Sequence, residues 1–439
     1  MYAFVLHYAY ATLVSPNFSY LGYRYESPEP WTVGVTLLAV WVCAISLPRR
    51  LDRPSGTVLW LLFTLTAAPT MLMGAYTSYL SSSRAVLLAL MTALAVLAAI
   101  WISRVPLAIP RIVAPSNVFW AIVVGISLMT YGILIATQGL SLSLISLDSV
   151  YDVREDFSSS LAQAGILGYL VFNQANVVNP IIFARGIYSG RLWLVAVALL
   201  GQLVLYSGTG FKTILFSTMA LIVVLLIFRS RVAPNGALLL AGAAVLMIAA
   251  AVLDDLFSER GFLTTLFSRR FLMTPGTFSS VYVAFFSDNP HALLGHSILS
   301  GWVDYPYSTT PPYLVADWMA GLPTMAANAN LFADGFANFG WAGLIGAGVL
   351  LGVMVTALDT VSRGMPTWVP AIVMTMPVVA LSNTSILTSI LSHGLGLALV
   401  LLLLAPRDGW ERRRTSAPRA ADDSVGEGAV AREPGRIAA

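Results

Sequence analysis

The sequence predicts an all-α, polytopic integral membrane protein with about 11–12 transmembrane helices and a large, partly helical extracytoplasmic loop. Hydrophobic residues make up 57% of the 439 residues and charged residues 10%, against about 25% in soluble proteins. The mean hydropathy is +0.79. So few polar side chains cannot cover a surface that faces water, which excludes a soluble enzyme. The net charge of +3 is too small to suggest nucleic acid as a partner.

The hydrophobic residues gather into about eleven segments that approach the ~20 residues a membrane crossing takes. The predicted spans are residues 31–48, 57–79, 85–103, 117–138, 161–184, 192–208, 213–228, 236–253, 341–358, 367–385 and 387–405. Residues 2–15 are also apolar but fewer, and they predict either a twelfth, short span or a helix at the membrane interface. Together these segments predict a membrane domain over residues 1–405.

The loops between the predicted spans alternate in charge. One set, together with the chain end, contains 17 Arg and 8 acidic residues, whereas the other has a net charge of −6. Short cytoplasmic loops carry an excess of Lys and Arg, so the first set is predicted to face the cytoplasm. Residues 406–439 are rich in Arg, Ala, Asp, Glu, Gly and Pro, and they predict a disordered cytoplasmic tail.

Two of the predicted outer loops are long, a medium loop at 139–160 and a large one at 254–340. A long loop in a compact protein is usually functional. Residues 254–271 and 277–286 have helical spacing, while the Pro-rich residues 306–313 are predicted to be extended or turning. The scarce charges of these loops are the first candidates for a site.

The basic residues of the outer face are notable because the charge bias works against them. Arg154 lies among acidic residues and is either a solvated cation or a ligand contact. Arg269 and Arg270 precede Pro275, which could open a helix whose N-terminus favours a diphosphate; interfacial anchoring explains the pair equally well. Lys212 stands in a Gly-rich turn at the membrane, where a charge is costly unless it snorkels, is paired or binds an anion.

A general base could come from two histidines or from the outer acids. His291 and His296 are five residues apart and share no helix face, so each is a candidate proton acceptor, or a structural histidine, rather than half of a metal site. Asp334 lies where the large loop enters the membrane, which suits a base and equally an ion pair with an Arg. Asp254 and Asp255, at the other end of the loop, favour helix capping.

Polar and small residues within the predicted spans favour structural roles. A stripe of Asn and Gln at 173–179, just before Pro180, predicts hydrogen bonds between helices. Several glycines between residues 340 and 352 predict a helix that packs closely on its neighbours. These features are assigned to the fold, and the outer charges to the site.

Five short motifs occur in order along the predicted outer face. They are Asp152-Val-Arg154, Ser207-Gly208-x-Gly-x-Lys212, Arg270-Phe-x-x-x-Pro275-Gly276, Gly295-His296 and Asn330-x-x-x-Asp334-Gly-x-x-Asn338-Phe-Gly340-x-x-Gly343. With these motifs and this architecture, roughly residues 30–405 resemble the oligosaccharide repeat-unit polymerases, the Wzy-type O-antigen and capsular polysaccharide polymerases.

The resemblance implies a metal-independent, inverting membrane glycosyltransferase of the GT-C-like type, with no cofactor, in the bacterial cytoplasmic (inner) membrane. Such enzymes transfer a glycan from polyprenyl diphosphate to another lipid-linked repeat unit on the extracytoplasmic face. Donor diphosphate or glycan contacts are expected from Arg154, Lys212 and the Arg269–Arg270 pair, and the base from Asp334 or His296. Lys212 stands where relatives usually carry Arg. A chain-length regulator and a flippase are expected partners.

Other functions stay open from the residues alone. An O-antigen-ligase-like glycan transferase shares this architecture and differs in its acceptor. A glycosyltransferase that uses polyprenyl-monophosphate sugars would carry an acidic pair in its first outer loop, where this chain has only Glu26 and Glu29, separated by two residues. A lipid-linked oligosaccharide flippase or other transporter is expected to have short loops. A purely structural membrane protein would not need the outer arginines.

Overall fold

The computed structural model of the protein describes residues 1–110, 112–139, 165–229, 235–257, 261–297, 299–407 and 410. These residues form helices joined by turns, and their extended pairing is limited to isolated bridges such as Tyr25 with Thr77. The protein is therefore an all-α, multi-pass membrane protein, as its composition predicted. Arg154, most of the loop at 139–160 and nearly all of the predicted tail lie outside the described residues.

The helices follow the predicted order along the chain, and each predicted span coincides with one of them or with a bent pair. Helix α1 is built from three consecutive pieces, Tyr2–Ala9, Tyr10–Val14 and Ser15–Phe18. The other described helices are α2 (Pro30–Ser46), α3 (Pro54–Tyr76), α4 (Ser82–Ile102), α5 (Ser116–Gln138), α6 (Ile166–Ser189), α7 (Leu192–Thr209), α8 (Lys212–Arg229), α9 (Ala237–Leu256), α10 (Thr264–Met273 continued by Thr274–Asp288), α11 (Pro311–Ala320), α12 (Leu331–Val361), α13 (Trp368–Ala380), α14 (Ile386–Ser392) and α15 (Leu395–Leu404).

Eight of the described helices, α3 to α9 and α12, are long and apolar enough to cross a membrane. Helices α14 and α15 are bent by 61° at their junction and make a ninth crossing if they act as one. Helices α2 and α13 have 17 and 13 residues, fewer than a typical span. The apolar segment at 2–15 is helical, and α1 buries Tyr2, Leu6 and Ala9 against the bundle.

Four of the described helices widen into a π-helical segment just before a proline. Each wide segment ends two residues before the proline, because the proline has no N–H to donate and its ring would clash with a carbonyl of the preceding turn. The pairs are Tyr10–Val14 with Pro16, Phe63–Ala67 with Pro69, Gln174–Val178 with Pro180, and Thr264–Met273 with Pro275. The helices thereby pass their prolines without breaking.

Side chains from other helices replace the donor that two of these prolines lack. In α3 the Thr64 carbonyl loses its helical donor, since the position five residues on is Pro69. The Tyr2 hydroxyl of α1 donates to that carbonyl at 2.7 Å. In α6 the Ala175 carbonyl loses its helical donor in the same way, since the position five residues on is Pro180. Gln202 Nε2 of α7 donates to this carbonyl at 2.8 Å. The prolines therefore help to specify which helices pack together.

The polar stripe of α6 forms a hydrogen-bonded network inside the bundle, which confirms its structural interpretation. Asn179 Oδ1 accepts from the Tyr131 hydroxyl of α5 and from Gln174 Nε2. Asn179 Nδ2 donates to Gln202 Oε1, and Gln202 Nε2 also donates to Ser217 of α8. We call Tyr131, Gln174, Asn179, Gln202 and Ser217 the amide network. It joins four helices in a place where each polar group must find a protein partner.

The other amides of the stripe hold the bend between α14 and α15. Asn173 Nδ2 donates to Leu391 O at 3.4 Å, and Asn176 Nδ2 donates to His393 O at 3.1 Å. The chain turns there at Gly394, whose φ is +92°. His393 is thus part of a helix junction.

Helix α12 packs closely on α4 through its glycines, as predicted. A Cβ on Gly348 would overlap the Ala95 carbonyl, and one on Gly352 would lie 3.0 Å from Ala99 Cα. Thr356 Oγ1 then donates to Ile102 O at 3.1 Å. Because the contacts advance in the same direction along both helices, α4 and α12 run parallel.

Among the described residues, contacts between loops occur at two ends of the bundle, one of them basic. At the basic end, Asp359 accepts from Ser55 N and Oγ at 2.9 and 2.7 Å, and Arg104 Nη2 donates to Ser46 O. At the opposite end, which we call the Asp288 end, Asp288 pairs with Arg84 at 3.1 Å. The charge bias predicts that the basic end faces the cytoplasm.

Candidate active site

Helix α10 occupies much of the segment predicted as the large outer loop, and it runs from the end of α9 to the start of α4. Asp254 of α9 accepts from the Leu263 and Thr264 N–H groups at 2.9 and 2.7 Å, which confirms its predicted capping role. The other end of α10 is held by the ion pair between Asp288 and Arg84. Residues 274–286 of α10 are buried throughout. This helix therefore crosses the interior of the Asp288 end.

Helix α10 passes through Pro275 and Gly276 without a new start. The backbone at Thr274 is right-handed helical, and its N–H bonds back to Arg269 O. The expected anion site at a helix N-terminus opened by Pro275 is therefore wrong, because the π-helical segment accommodates the proline and leaves no free N–H end. Gly276 serves packing, since a Cβ there would overlap the Pro69 carbonyl of α3.

The prediction for the Pro-rich residues 306–313 is correct up to Thr310 and wrong beyond it. Helix α11 begins at Pro311 and includes Pro312 in its first turn. A helix tolerates proline there because the first N–H groups have no partner within the helix. The loop before α11 carries both candidate histidines.

Arg269 is a buried cation on α10. The residue is 8% exposed, and its guanidinium carbon lies 4.3 Å from the Phe18 ring centroid and 5.5 Å from that of Tyr23. Its Nε has no hydrogen-bond partner. Among the residues that the structure describes, the one ion pair is that of Arg84 with Asp288, so no described carboxylate neutralises Arg269.

Tyr23 does not balance this charge either. Thr274 Oγ1 donates to Arg269 O at 2.8 Å, so the Tyr23 hydroxyl, 2.7 Å from Thr274 Oγ1, must donate to it. Burial raises the pKa of Tyr23, and the nearby charge of Arg269 offsets this only in part. Tyr23 is therefore a neutral phenol. A buried charge without a counter-ion is costly and usually marks a ligand or ion site.

The structure separates the two adjacent arginines. Arg270 is exposed, whereas Arg269 is buried between α1 and α10. The two side chains therefore face different surroundings, although they are adjacent in the sequence and were predicted as one basic pair. Arg154, the third predicted arginine, lies outside the described residues.

Lys212 lies at the first residue of α8, directly after the turn that joins α7 to α8. It is half-buried and makes contacts within the protein. One helical turn later, the Phe216 ring packs edge-on against Phe267 of α10, with centroids 6.4 Å apart. The Lys212 turn is therefore brought beside the part of α10 that carries Arg269.

Asp334 lies on a short helix that folds back on the rest of α12. The chain reverses at Phe339 and Gly340, and Gly340 adopts φ +60° and ψ −146°, a conformation that in practice only glycine adopts. Gly335, before the reversal, and Gly343, after it, meet backbone to backbone. A Cβ on either glycine would overlap the carbonyl of the other. Asp334 is half-buried inside this hairpin.

Asn330 fixes the start of the Asp334 helix against α10. Its Oδ1 caps two backbone N–H groups of the first turn at 2.9 and 3.1 Å, and its Nδ2 donates to Pro275 O at 2.8 Å. Asn330 is fully buried. Asp334, one turn further on, is thereby tied to α10 at Pro275, and roughly 9 Å of helix rise separates Pro275 from Arg269.

The loop that carries His291 and His296 docks on the end of the Asp334 helix, where Ala292 N–H donates to Ala337 O at 2.9 Å. The His296 ring packs against Tyr305 with centroids 5.5 Å apart, and its buried Nδ1 has no hydrogen-bond partner. Burial lowers the pKa of His296 below its ordinary value of 6.5. The ring is therefore neutral at pH 7 and able to accept a proton.

The aromatic residues of the loop divide between packing and exposure. The sequence offered six of them either for stacking on sugar rings or for packing the loop: Tyr282, Phe285, Trp302, Tyr305, Tyr307 and Trp318. Tyr282 and Phe285 are buried in α10, so they pack the loop. Trp302 is 88% exposed and Trp318 50% exposed, so these two present rings to a ligand or to lipid. Tyr305 and Tyr307 are half-buried.

Arg269 thus lies on α10, the Asp334 helix is attached to α10 through Asn330, and the His296 loop docks on the Asp334 helix. The Lys212 turn lies beside α10. Residue patterns missed Phe18 and Tyr23, which cover Arg269 from the far N-terminal part of the chain and carry no local signal. Asn330 and Asn338 stand four residues on either side of Asp334, and this symmetric spacing could have identified them as supporting residues.

No protein-family model, curated protein or solved structure matches this chain. The resemblance to repeat-unit polymerases therefore stays an expectation from the motifs. A functional assignment depends on the buried cation of α10, on the acid of the attached Asp334 helix and on the histidine of the loop that docks there.

Proposed function

We propose that the protein is a membrane glycosyltransferase that polymerises polyprenyl-diphosphate-linked oligosaccharide repeat units on the outer face of the bacterial cytoplasmic membrane. The observation that supports this most strongly is Arg269, a buried cation at the Asp288 end with no described carboxylate partner. A buried charge of this kind favours binding of an anion, and an anionic ligand that reaches the interior of a membrane protein would supply one.

A lipid diphosphate has the chemistry that this position needs. Its isoprenoid chain stays in the bilayer while its diphosphate lies at membrane depth, near the predicted outer boundary. The planar guanidinium of Arg269 can bind two phosphate oxygens at once. The Phe18 and Tyr23 rings hold the guanidinium in place and exclude water, which strengthens its interaction with a departing diphosphate.

The proposed reaction is one displacement at the anomeric carbon. The acceptor hydroxyl oxygen forms the new bond to this carbon from the face opposite the diphosphate, and the bond from the carbon to the phosphate oxygen breaks. The electron pair leaves with polyprenyl diphosphate, and the hydroxyl proton passes to Asp334 or His296. The anomeric configuration is therefore inverted.

The remaining predicted contacts take supporting roles in this proposal. Lys212, beside α10, and Arg270, on its exposed face, are assigned contacts to the phosphates or the glycan. Arg154 is assigned to the same substrate by the resemblance. Because Arg269 is the buried member of the set, it is assigned the leaving diphosphate.

The test uses purified full-length protein in nanodiscs and the lipid-linked repeat unit that accumulates in cells after deletion of the gene. The wild-type protein is expected to convert this lipid into longer lipid-linked chains and free polyprenyl diphosphate. Arg269→Ala is expected to stop chain growth. Arg24→Ala is the matched control, since Arg24 is an exposed arginine at the same end and its variant is expected to keep chain growth.

Other products would replace the proposal with one of its alternatives. Transfer of the glycan to an acceptor without polyprenyl diphosphate would identify a ligase. Movement of the lipid across a vesicle membrane without new glycosidic bonds would identify a flippase. Normal chain growth by Arg269→Ala would contradict the assignment of the buried arginine.

A further inference from the structure

We propose that Asn338 is a positioning residue that holds the His296 loop against the Asp334 helix and so sets the geometry of the two candidate bases. The inference rests on the proposed function. Its structural part, the attachment of the loop through one buried amide, can be measured without any catalytic assay. Asn338 is 1% exposed.

Asn338 is bonded to both elements. Its Oδ1 accepts from the Leu294 N–H of the histidine loop at 2.8 Å, and its Nδ2 donates to the Asp334 carbonyl at 2.9 Å. Within the described residues, the loop is also bonded to the Asp334 helix through its backbone, where Ala292 N–H donates to Ala337 O. One side chain therefore links the backbone at Asp334 to the backbone two residues before His296.

The loop is strained where Asn338 holds it. Leu293 and Leu294 have φ values of +47° and +59°, in the left-handed region that L-residues other than Asn and Asp rarely enter. Two consecutive leucines in this region are unfavourable and persist only where surrounding contacts enforce them. The bond from Leu294 N–H to Asn338 is such a contact, because it would be lost if the loop relaxed.

The strained turn has a consequence for the histidines. His291 lies on one side of it, with its ring against Gly340 at the reversal of α12, and His296 lies on the other, against Tyr305. Without the Asn338 bond, the turn is expected to relax and to carry His296 away from the Asp334 helix. A displacement of about 1 Å in a catalytic group costs on the order of a hundredfold in rate.

The first experiment measures amide hydrogen exchange of the full-length protein in nanodiscs, in the peptide that covers residues 289–297. Asn338→Leu is expected to increase exchange in this peptide by at least tenfold. Asn289→Ala is the matched control: its amide lies at the edge of the same loop and donates only to Phe285 O within the described contacts, so exchange should stay at the wild-type rate. Unchanged exchange in Asn338→Leu would overturn the inference.

The second experiment measures chain elongation by the same variants. Asn338→Leu is expected to lower kcat by about tenfold to a hundredfold with little change in KM, because substrate binding at Arg269 is untouched. Asn289→Ala is expected to keep the wild-type kcat. Wild-type kcat in a folded Asn338→Leu protein would contradict the positioning role.

A rescue variant separates positioning from a general loss of structure. Glycine adopts positive φ freely, so Leu294→Gly removes strain from the turn. In the Asn338→Leu background, Leu294→Gly is expected to restore part of kcat and of the exchange protection, and failure to restore either would count against the strained turn as the cause. If wild-type protein elongates no lipid-linked glycan but the exchange results hold, the proposed function fails while the attachment by Asn338 stands.

Discussion

The amide network and the surroundings of Arg269 are both polar regions buried inside the helix bundle, and they are built in opposite ways. In the amide network the donors of Gln202 and Asn179 all reach acceptors on neighbouring helices. Around Arg269, the Nε lacks a partner and no described carboxylate lies in range. In the first region most polar groups bond to one another, with Gln174 Oε1 as an exception, and in the second a cation has no counter-ion among the described carboxylates.

This difference separates structural from functional polarity within the membrane. A network whose groups bond mainly to one another stabilises the fold, since each of those groups would otherwise be unsatisfied in an apolar setting. A buried charge that is incomplete lowers the stability of the empty protein and is retained for binding. The free energy of unfolding should therefore change in opposite directions when the polar groups of the two regions are replaced by apolar ones.

The largest expected effect is at Arg269. Arg269→Met keeps the length of the side chain and removes the charge, so we expect elongation to fall by at least about 100-fold, as for other losses of a charged transition-state contact. The free energy of unfolding should stay the same or rise by about 1 kcal/mol, because an uncompensated buried charge has been removed. Both are measured on one preparation, by the elongation assay and by denaturant titration in mixed micelles. A large loss of stability would show that the charge of Arg269 is paired. The contrast between Arg269 and the amide network would then be wrong.

The next largest effect is a loss of stability at Gln202, which is opposite in direction to the effect of Arg269→Met on stability. Gln202→Leu leaves the Ala175 carbonyl and the Asn179 amide without their partner, so we expect the free energy of unfolding to fall by about 2 kcal/mol. The rate per folded molecule should stay near that of wild type. Asn17→Leu is the control, since Asn17 is exposed and bonds within its own helix. If the two variants had equal stability, the network would contribute nothing.

A smaller effect is expected at Tyr2, which donates to the carbonyl that Pro69 leaves without a partner. Tyr2→Phe should lower the free energy of unfolding by about 1 kcal/mol, whereas Tyr8→Phe, on the exposed face of the same helix, should not. In a Pro69→Ala background the helix can bond the Thr64 carbonyl itself, so the loss from Tyr2→Phe should shrink. Equal losses in both backgrounds would refute the link between proline and tyrosine.

The smallest effect concerns pH and His296. The folded state lowers the pKa of His296 below 6.5 through burial, so the unfolded chain binds the proton more readily. Stability from this group is complete above pH 6.5 and declines as pH falls through the unfolded value. We expect the denaturation midpoint of wild type to fall more than that of His296→Gln between pH 7.5 and 5.5. Parallel curves for the two proteins would contradict the burial of this ring.

Much of the fold could be predicted from the sequence, because bilayer thickness makes helix length and hydrophobicity local properties. The predicted spans all became helices or bent pairs, Asp254 caps a helix, and the stripe at 173–179 bonds between helices. The main wrong prediction concerns Pro275, where a helix was expected to start. The helix instead continues past this proline through a π-helical segment. Four π-helical segments each end two residues before a proline. A proline by itself therefore does not determine whether a helix ends or continues through a widened turn.

The candidate site could be predicted only in part. Composition and loop charge marked Arg269, Arg270, Asp334 and His296 as outer polar residues, and nothing local distinguishes Arg269 from Arg270. Only the tertiary structure decides that Arg269 is buried, because Phe18 and Tyr23 arrive from the N-terminal end of the chain. The sequence by itself determined a helical membrane protein with scarce, one-sided charge. Packing determined which of those charges is buried without a described carboxylate, since burial depends on neighbours that are distant in the sequence, such as Phe18 and Arg269.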